Sequence, residues 1–185
     1  TLPWHSRILA GAFQAVQTRT AGFNSVDIGA MHDATLFGMD SMMFIGGGPA
    51  GTAGGIKITT FFVLLFIAWA EIRGDSAVNI FGRRLSRALH RQAITVALLA
   101  SGVVGLATLA LLVLSPFSLD QTLFEAVSAF GTVGLSTGIT PQLAPPCQLV
   151  LIALMIIGRL GPITVATALA TPTQTRRYLS LIHIS

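Results

Sequence analysis

The sequence is poor in charge, in cysteine and in tyrosine. Charged residues make up 10% of its 185 positions, against roughly 25% in a soluble domain. So few charges cannot cover a soluble globule, which argues against a soluble enzyme. Cys147 is the single cysteine, so an intrachain disulfide and a cysteine metal cluster are excluded. His5, His32, His90 and His183 show no metal-ligand spacing. No nucleophile, base and orienting group form a catalytic pattern, so the sequence predicts no enzyme and no covalently bound cofactor. Apolar residues are plentiful: 52% of the chain is hydrophobic and the mean hydropathy is +0.76. That excludes a disordered chain and a nucleic-acid-binding one. It reads as a multi-pass membrane protein.

The net charge of +4 is localised. Residues 71–91 hold Arg73, Arg83, Arg84, Arg87 and Arg91, and Arg176 and Arg177 lie near the C-terminus. Basic residues in short loops beside membrane spans mark the cytoplasmic side. The clearest span is 93–114, 22 residues without a charge, where a bilayer core needs roughly 20. Running from the basic loop, it ends outside at Ser115-Pro116. The other apolar segments are interrupted. A broken helix is predicted over 33–70, split by GGGPAGTAGG at 46–55, and a second over 146–170, with Arg159, Gly161 and Pro162 at its middle. The short amphipathic pieces 7–16 and 119–130 cannot cross, and each leads into a loop with Gly and Thr. Trp4, Trp69 and Tyr178 fall near span ends, where aromatic belts lie. No signal peptide is seen at residue 1, the chain reads as an internal fragment, and the tail LSLIHIS reads as foreign sequence.

Two segments repeat each other. Phe13-Gln14-Ala15-Val16 matches Phe124-Glu125-Ala126-Val127, and Thr20-Ala21-Gly22-Phe23-Asn24 matches Thr132-Val133-Gly134-Leu135-Ser136. Gly22 and Gly134 stand 112 positions apart, so both loops face the same side. Non-helical backbone at membrane depth is tolerated where protein buries it or where it lines a cavity. Rings of backbone carbonyls can replace the water shell of a potassium ion, and glycine lets the strand turn its carbonyls toward an axis. The negative end of the preceding helix points at such a site. Arg19 would repel a cation there, so its side chain should turn away and brace the loop. Asn24 and Asp27 stand at the outer mouth, where an acid attracts cations; for Asp27 a helix-cap role serves equally well.

With these motifs in place, the chain resembles the Trk/Ktr/HKT superfamily of potassium transporters. TRTAGFNSVD (Thr18 to Asp27) resembles its third filter loop and SAFGTVGLSTG (Ser128 to Gly138) its fourth. MMFIGGGPAGTAGGIK (Met42 to Lys57) looks like its Gly-rich intramembrane loop, and GRLGPIT (Gly158 to Thr164) like the middle of the last helix. The wording is nearest to a Ktr-type membrane subunit. The resemblance implies an all-α membrane fold of helix–pore helix–helix repeats, of which this chain carries the last one and a half of four. Residues 1–70 would be the pore helix, filter loop and broken helix of repeat three, and 71–91 a cytoplasmic basic loop. Residues 92–170 would be repeat four, and 171–185 a cytoplasmic tail. It further implies potassium uptake across the plasma (inner) membrane, with sodium left open as a second ion. The filter would comprise Thr20, Ala21, Gly22, Phe23, Thr132, Val133, Gly134 and Leu135, with the ion at their carbonyls. A homodimer on a cytoplasmic nucleotide-binding regulatory subunit is implied too. Arg83, Arg84, Arg87 and Arg91 are candidates for that contact, and anionic lipid explains the same charges equally.

A gate is expected from Gly46, Gly47, Gly48, Gly51, Gly54, Gly55 and Arg159. Arg159 lies about 12 residues, on the order of 18 Å, from either end of its apolar segment. An intramembrane arginine is costly and needs a partner. The broken helix offers carbonyls that a guanidinium can satisfy. Two other readings compete. Gly46, Gly48 and Gly51 spell G-x-G-x-x-G, with Glu71 following 20 residues later, so GGGPAG could be the dinucleotide loop of an FAD- or NAD-binding oxidoreductase. The following segment 58–70 is apolar on all sides, however, where such a helix should be amphipathic. The third reading is a non-conducting membrane scaffold.

Overall fold

A computed structural model describes residues 3–23, 25–48, 53–74, 79–80 and 83–161. Among the described residues six α-helices form: α1 Trp4–Gln17, α2 Asp33–Ile45, α3 Ile58–Arg73, α4 Arg87–Leu114, α5 Leu119–Phe130 and α6 Pro145–Leu160. The expected all-α fold is found, with one small addition in the reversal between α3 and α4. Asn79–Ile80 pairs antiparallel with Arg83–Arg84, Asn79 opposite Arg84 and Ile80 opposite Arg83. Gly74 ends α3 in the left-handed conformation, and this small ladder lies in the reversal to α4, which packs against α3. The helices also reach into the basic segment at both ends, α3 to Arg73 and α4 from Arg87.

The ends of these helices follow from their residues. Ser86 caps α4 by accepting from Leu89 N. Ser118 and Gln121 form a reciprocal capping box that starts α5, satisfying two of the donors a helix start leaves over. Pro145 and Pro146 open α6, where a missing N–H costs nothing. Gly46 and Gly161 stop α2 and α6 at φ of +71° and +83°, a conformation that glycine adopts without a Cβ penalty.

α4 has 28 residues, about 42 Å at helical rise. It is the one helix among the described residues long and apolar enough to cross a membrane. Its buried residues Ala93, Ala100, Val104, Ala107 and Leu111 make one stripe at helical spacing, while Leu98, Leu106, Leu109 and Val113 stay exposed. The short α5 is the centre of the fold. It packs against α2, α4 and α6, and Thr122 and Phe124 to Phe130 are all buried. α1 is inside out: Trp4, Ile8, Leu9, Phe13 and Val16 are exposed, and its buried residues are Gln14 and Gln17. Such a helix is unstable against water but suits an apolar surround. Trp4 and Trp69 are exposed at helix ends, and the Arg73 guanidinium stacks over Trp69 at 5.1 Å. The expected continuation of the last helix to 170, with Pro162, and the tail with Arg176, Arg177 and Tyr178 lie outside the described residues.

Candidate functional site

The two Thr-x-Gly loops share one backbone. Thr20 and Gly22 have φ of +70° and +68°, and Thr132 and Gly134 have +52° and +89°. A β-branched residue at positive φ is an outlier, and each such residue stores strain of roughly 1–3 kcal/mol. The same two positions have positive φ in both copies, strained at the threonines, so the repeat is a repeat of conformation. The loops also meet. A Cβ added at Gly22 would lie 2.5 Å from the carbonyl oxygen of Val133 and 3.6 Å from Gly134 Cα. Only a glycine allows one loop so near the other. Of the remaining expected filter residues, Phe23 is exposed, and Leu135 is buried with its carbonyl accepting from Ser128 Oγ at 2.6 Å.

Each loop is held by a polar residue of the short helix before it. Glu125 is 4% exposed. Its Oε1 accepts from Ser136 Oγ (2.5 Å), Thr137 N (3.0 Å) and Thr137 Oγ1 (3.2 Å), and its Oε2 from Thr140 Oγ1 (2.8 Å). The matching Gln14 holds its loop by a single bond, from Ser25 Oγ at 3.3 Å. Reading by motif missed this role of Glu125. The signal was present: a polar residue at one matched position of two apolar short helices. Asp27 accepts from Gly29 N at 3.0 Å and caps the 3₁₀ turn Ile28–Ala30, so the cap role is realised. Asn24 lies outside the described residues.

The two described ends of the Gly-rich stretch, 46–48 and 53–57, are joined in a closed neck. Ile56 N donates to Phe44 O at 3.3 Å, and Ile58 N to Gly47 O at 3.1 Å. Cβ atoms added at Gly46, Gly47 and Gly55 would meet Gly54 O at 2.5 Å, Ala53 Cβ at 2.7 Å and Phe44 O at 3.0 Å. A Cβ at Gly48 would meet none of the described residues within 4 Å. The neck is tied to both Thr-x-Gly loops. Arg19 donates to the Gly46 carbonyl at 3.1 Å, and Gly54 N donates to Thr132 Oγ1 at 3.1 Å. Lys57 Nζ closes the neck on the Ala53 carbonyl. Arg19 thus braces the structure as its position suggested, but its target is the Gly-rich stretch.

Three glycines bring backbones together around the end of α5. A Cβ at Gly54 would lie 2.9 Å from Phe130 O, one at Gly131 2.9 Å from Met43 O, and one at Gly158 1.8 Å from Phe130 O. Gly158 therefore sets how closely α6 approaches α5, and Arg159 follows it in the last turn. The middle of the Gly-rich stretch, residues 49–52 with Gly51, lies outside the described residues. The dinucleotide-loop reading fails. Its motif should follow a strand, whereas GGGPAG follows the helix α2.

A family model described as TrkH, cation transport protein, matches residues 1–177. The chain is 41% identical over 168 residues to the Ktr system potassium uptake protein B of Bacillus subtilis, covering 91% of this chain and 38% of that protein. It is 38% identical over 167 residues to the protein of the same name from Vibrio alginolyticus, covering 90% and 37%. With the potassium/sodium uptake protein NtpJ of Enterococcus hirae it shares 38% identity over 164 residues, covering 85% and 36%. The chain thus spans less than two fifths of the length of these relatives. It belongs to the TrkH family of cation transport proteins, of the Trk/Ktr kind, a family of membrane transporters and not of enzymes.

Proposed function

We propose that this chain supplies two of the filter loops of a potassium uptake pore in the plasma membrane. The observation that carries the reading is the twice-repeated backbone: positive φ at Thr20 and Gly22 and again at Thr132 and Gly134, with Val133 O against Gly22. Strain of this kind persists where surrounding structure enforces it, here Glu125 and the two ties to the Gly-rich stretch. Carbonyls of 20–22 and 132–134 replace water around the ion, with Phe23 and Leu135 completing the loops. The short helices α1 and α5 end at this place with their negative poles. Potassium moves down its electrochemical gradient without a chemical step. Sodium is a second cargo, in keeping with the name of the Enterococcus hirae relative.

The Gly-rich neck serves as the gate. It lies against the ends of both loops through Arg19–Gly46 and Gly54–Thr132, and Arg159 stabilises the closed position. Both filter loops face outside and the 71–91 segment faces the cytoplasm. The relatives are named as parts of a Ktr system. In that light the protein is a homodimer on a cytoplasmic nucleotide-binding regulator, with Arg83, Arg84, Arg87 and Arg91 at the contact.

Growth rescue and rubidium flux test the reading. The longer parent protein, expressed in cells that lack potassium uptake, should restore growth at low potassium. Gly22→Val and Gly134→Val should insert in the membrane but lose transport or its preference for potassium over sodium. Unchanged preference in both variants overturns the filter assignment, and absence of rescue by well-expressed parent protein favours a scaffold.

A further inference from the structure

Asp40 is an acid that the transport reading does not use. It stands seven residues into α2, about 10 Å from the start of the helix at helical rise. It is 7% exposed, and its Oδ1 is buried with no hydrogen-bond donor among the described residues. A carboxylate in such a place costs free energy unless a donor or a positive charge meets it. The described ionisable group that acts on it is another acid, Asp120, in the first turn of α5. Among the described residues nothing positive meets it, so a proton or a bound cation must neutralise it.

Asp40 lines an open depression of about 280 Å³ between α2, α4 and α5, where Ser41 and Ser101 are exposed. Two hydroxyls line the same depression, that of Ser41 and that of Ser101 at the middle of α4, and Phe44, Val104 and Leu123 form apolar walls. Ser41 Oγ donates to Phe37 O at 2.9 Å, which leaves its lone pairs for a ligand. The donor set is all oxygen. No group of three His, Cys, Asp or Glu side chains suited to a transition metal occurs among the described residues. Calcium takes six to eight oxygens, with several carboxylates; one buried carboxylate with two hydroxyls matches a single positive charge.

We propose that Asp40, Ser41 and Ser101 form a binding site for a small monovalent cation of the sodium class, apart from the Thr-x-Gly loops. Occupancy neutralises Asp40 and bridges α2 to α4. The site stands on this depression alone and does not depend on the loops being a filter.

The test is thermal unfolding of the purified longer protein in sodium, potassium or choline chloride at constant ionic strength. Sodium should raise the unfolding midpoint of the wild type above that in choline. Asp40→Asn, which keeps the shape and removes the charge, should lose the sodium shift and unfold at a higher temperature in choline. Ser101→Ala should need roughly tenfold more sodium for half the shift, about 1.4 kcal/mol of binding, and it carries the test should Asp40→Asn fail to fold. A potassium shift retained in both variants reports on the loops separately, so its loss in every protein counts against the filter and not against this site. A sodium shift that is absent from the wild type, or unchanged in Asp40→Asn or in Ser101→Ala, overturns the proposal.

Discussion

The segments 4–31 and 119–143 are two copies of one design with different support. Both have a short helix, a Thr-x-Gly with positive φ at Thr and Gly, and a 3₁₀ turn. In the second copy the helix is buried from Phe124 to Phe130 and a carboxylate accepts four hydrogen bonds from the loop. In the first, the helix turns its apolar side chains outward and an amide accepts one. The conformation is therefore a property of the local sequence, and its rigidity is a property of what packs around it. The second loop is the firm wall of the proposed filter, and the first leans on it through Gly22.

That difference can be broken at the glycines, where the largest effects are expected. Gly22→Ala places a Cβ 2.5 Å from a backbone carbonyl and adds strain at positive φ. Gly134→Ala adds strain alone, its nearest neighbour being Gly22 Cα at 3.8 Å. Rubidium flux should vanish in the first and fall about tenfold in the second, in line with 1–3 kcal/mol of strain. Equal flux in the two would show that the loops do not lean on each other. Gly158→Ala forces a Cβ to 1.8 Å from Phe130 O and should lower stability by about 3 kcal/mol or prevent folding, as overpacking does. A normal unfolding midpoint in detergent would contradict it.

Swapping the supports sharpens the contrast. Glu125→Gln should cost about 2 kcal/mol of stability, since charged acceptors are the strong ones. Gln14→Ala should cost less than about 1 kcal/mol. Thermal unfolding of the two side by side measures this, and a reversed order would refute the account of support. Arg19→Gln and Thr132→Val each cut one tie to the Gly-rich neck and should raise flux without the regulator by several-fold; unaltered regulated flux in both would separate the neck from gating. The smallest effect belongs to Gly102→Ala and Gly105→Ala on α4, where an added Cβ meets nothing within 4 Å. These should be neutral or stabilising by up to about 1 kcal/mol from helix propensity.

Much of this was legible in the sequence because it rests on local rules. The span ending at Leu114, the stretch Leu119–Phe130 and the break from Gly46 follow from hydropathy, amphipathic pattern and glycine. The matched Phe-Gln-Ala-Val and Phe-Glu-Ala-Val strings and the Thr-x-Gly pairs located the loops. The contacts between distant segments were not legible. Arg19 could be seen to need a target, but nothing in its neighbourhood names Gly46, 27 residues on. Gly158 reads as one more small residue in a membrane helix until Phe130 is found against it. Asp40 stands in an apolar run of the sequence, and its significance depends on α4 and α5, which arrive from elsewhere in the chain. The small ladder at 79–80 and 83–84 went unseen because two residues per strand leave no alternating pattern to read.

The central claim is that the two Thr-x-Gly loops face a common ion. Anomalous scattering from thallium, which substitutes for potassium, tests it most directly in crystals of the longer protein. The account predicts a peak between 20–22 and 132–134, within coordination distance of their carbonyl oxygens, that disappears in Gly22→Val. Thallium bound elsewhere in the pore with none between these loops would contradict it.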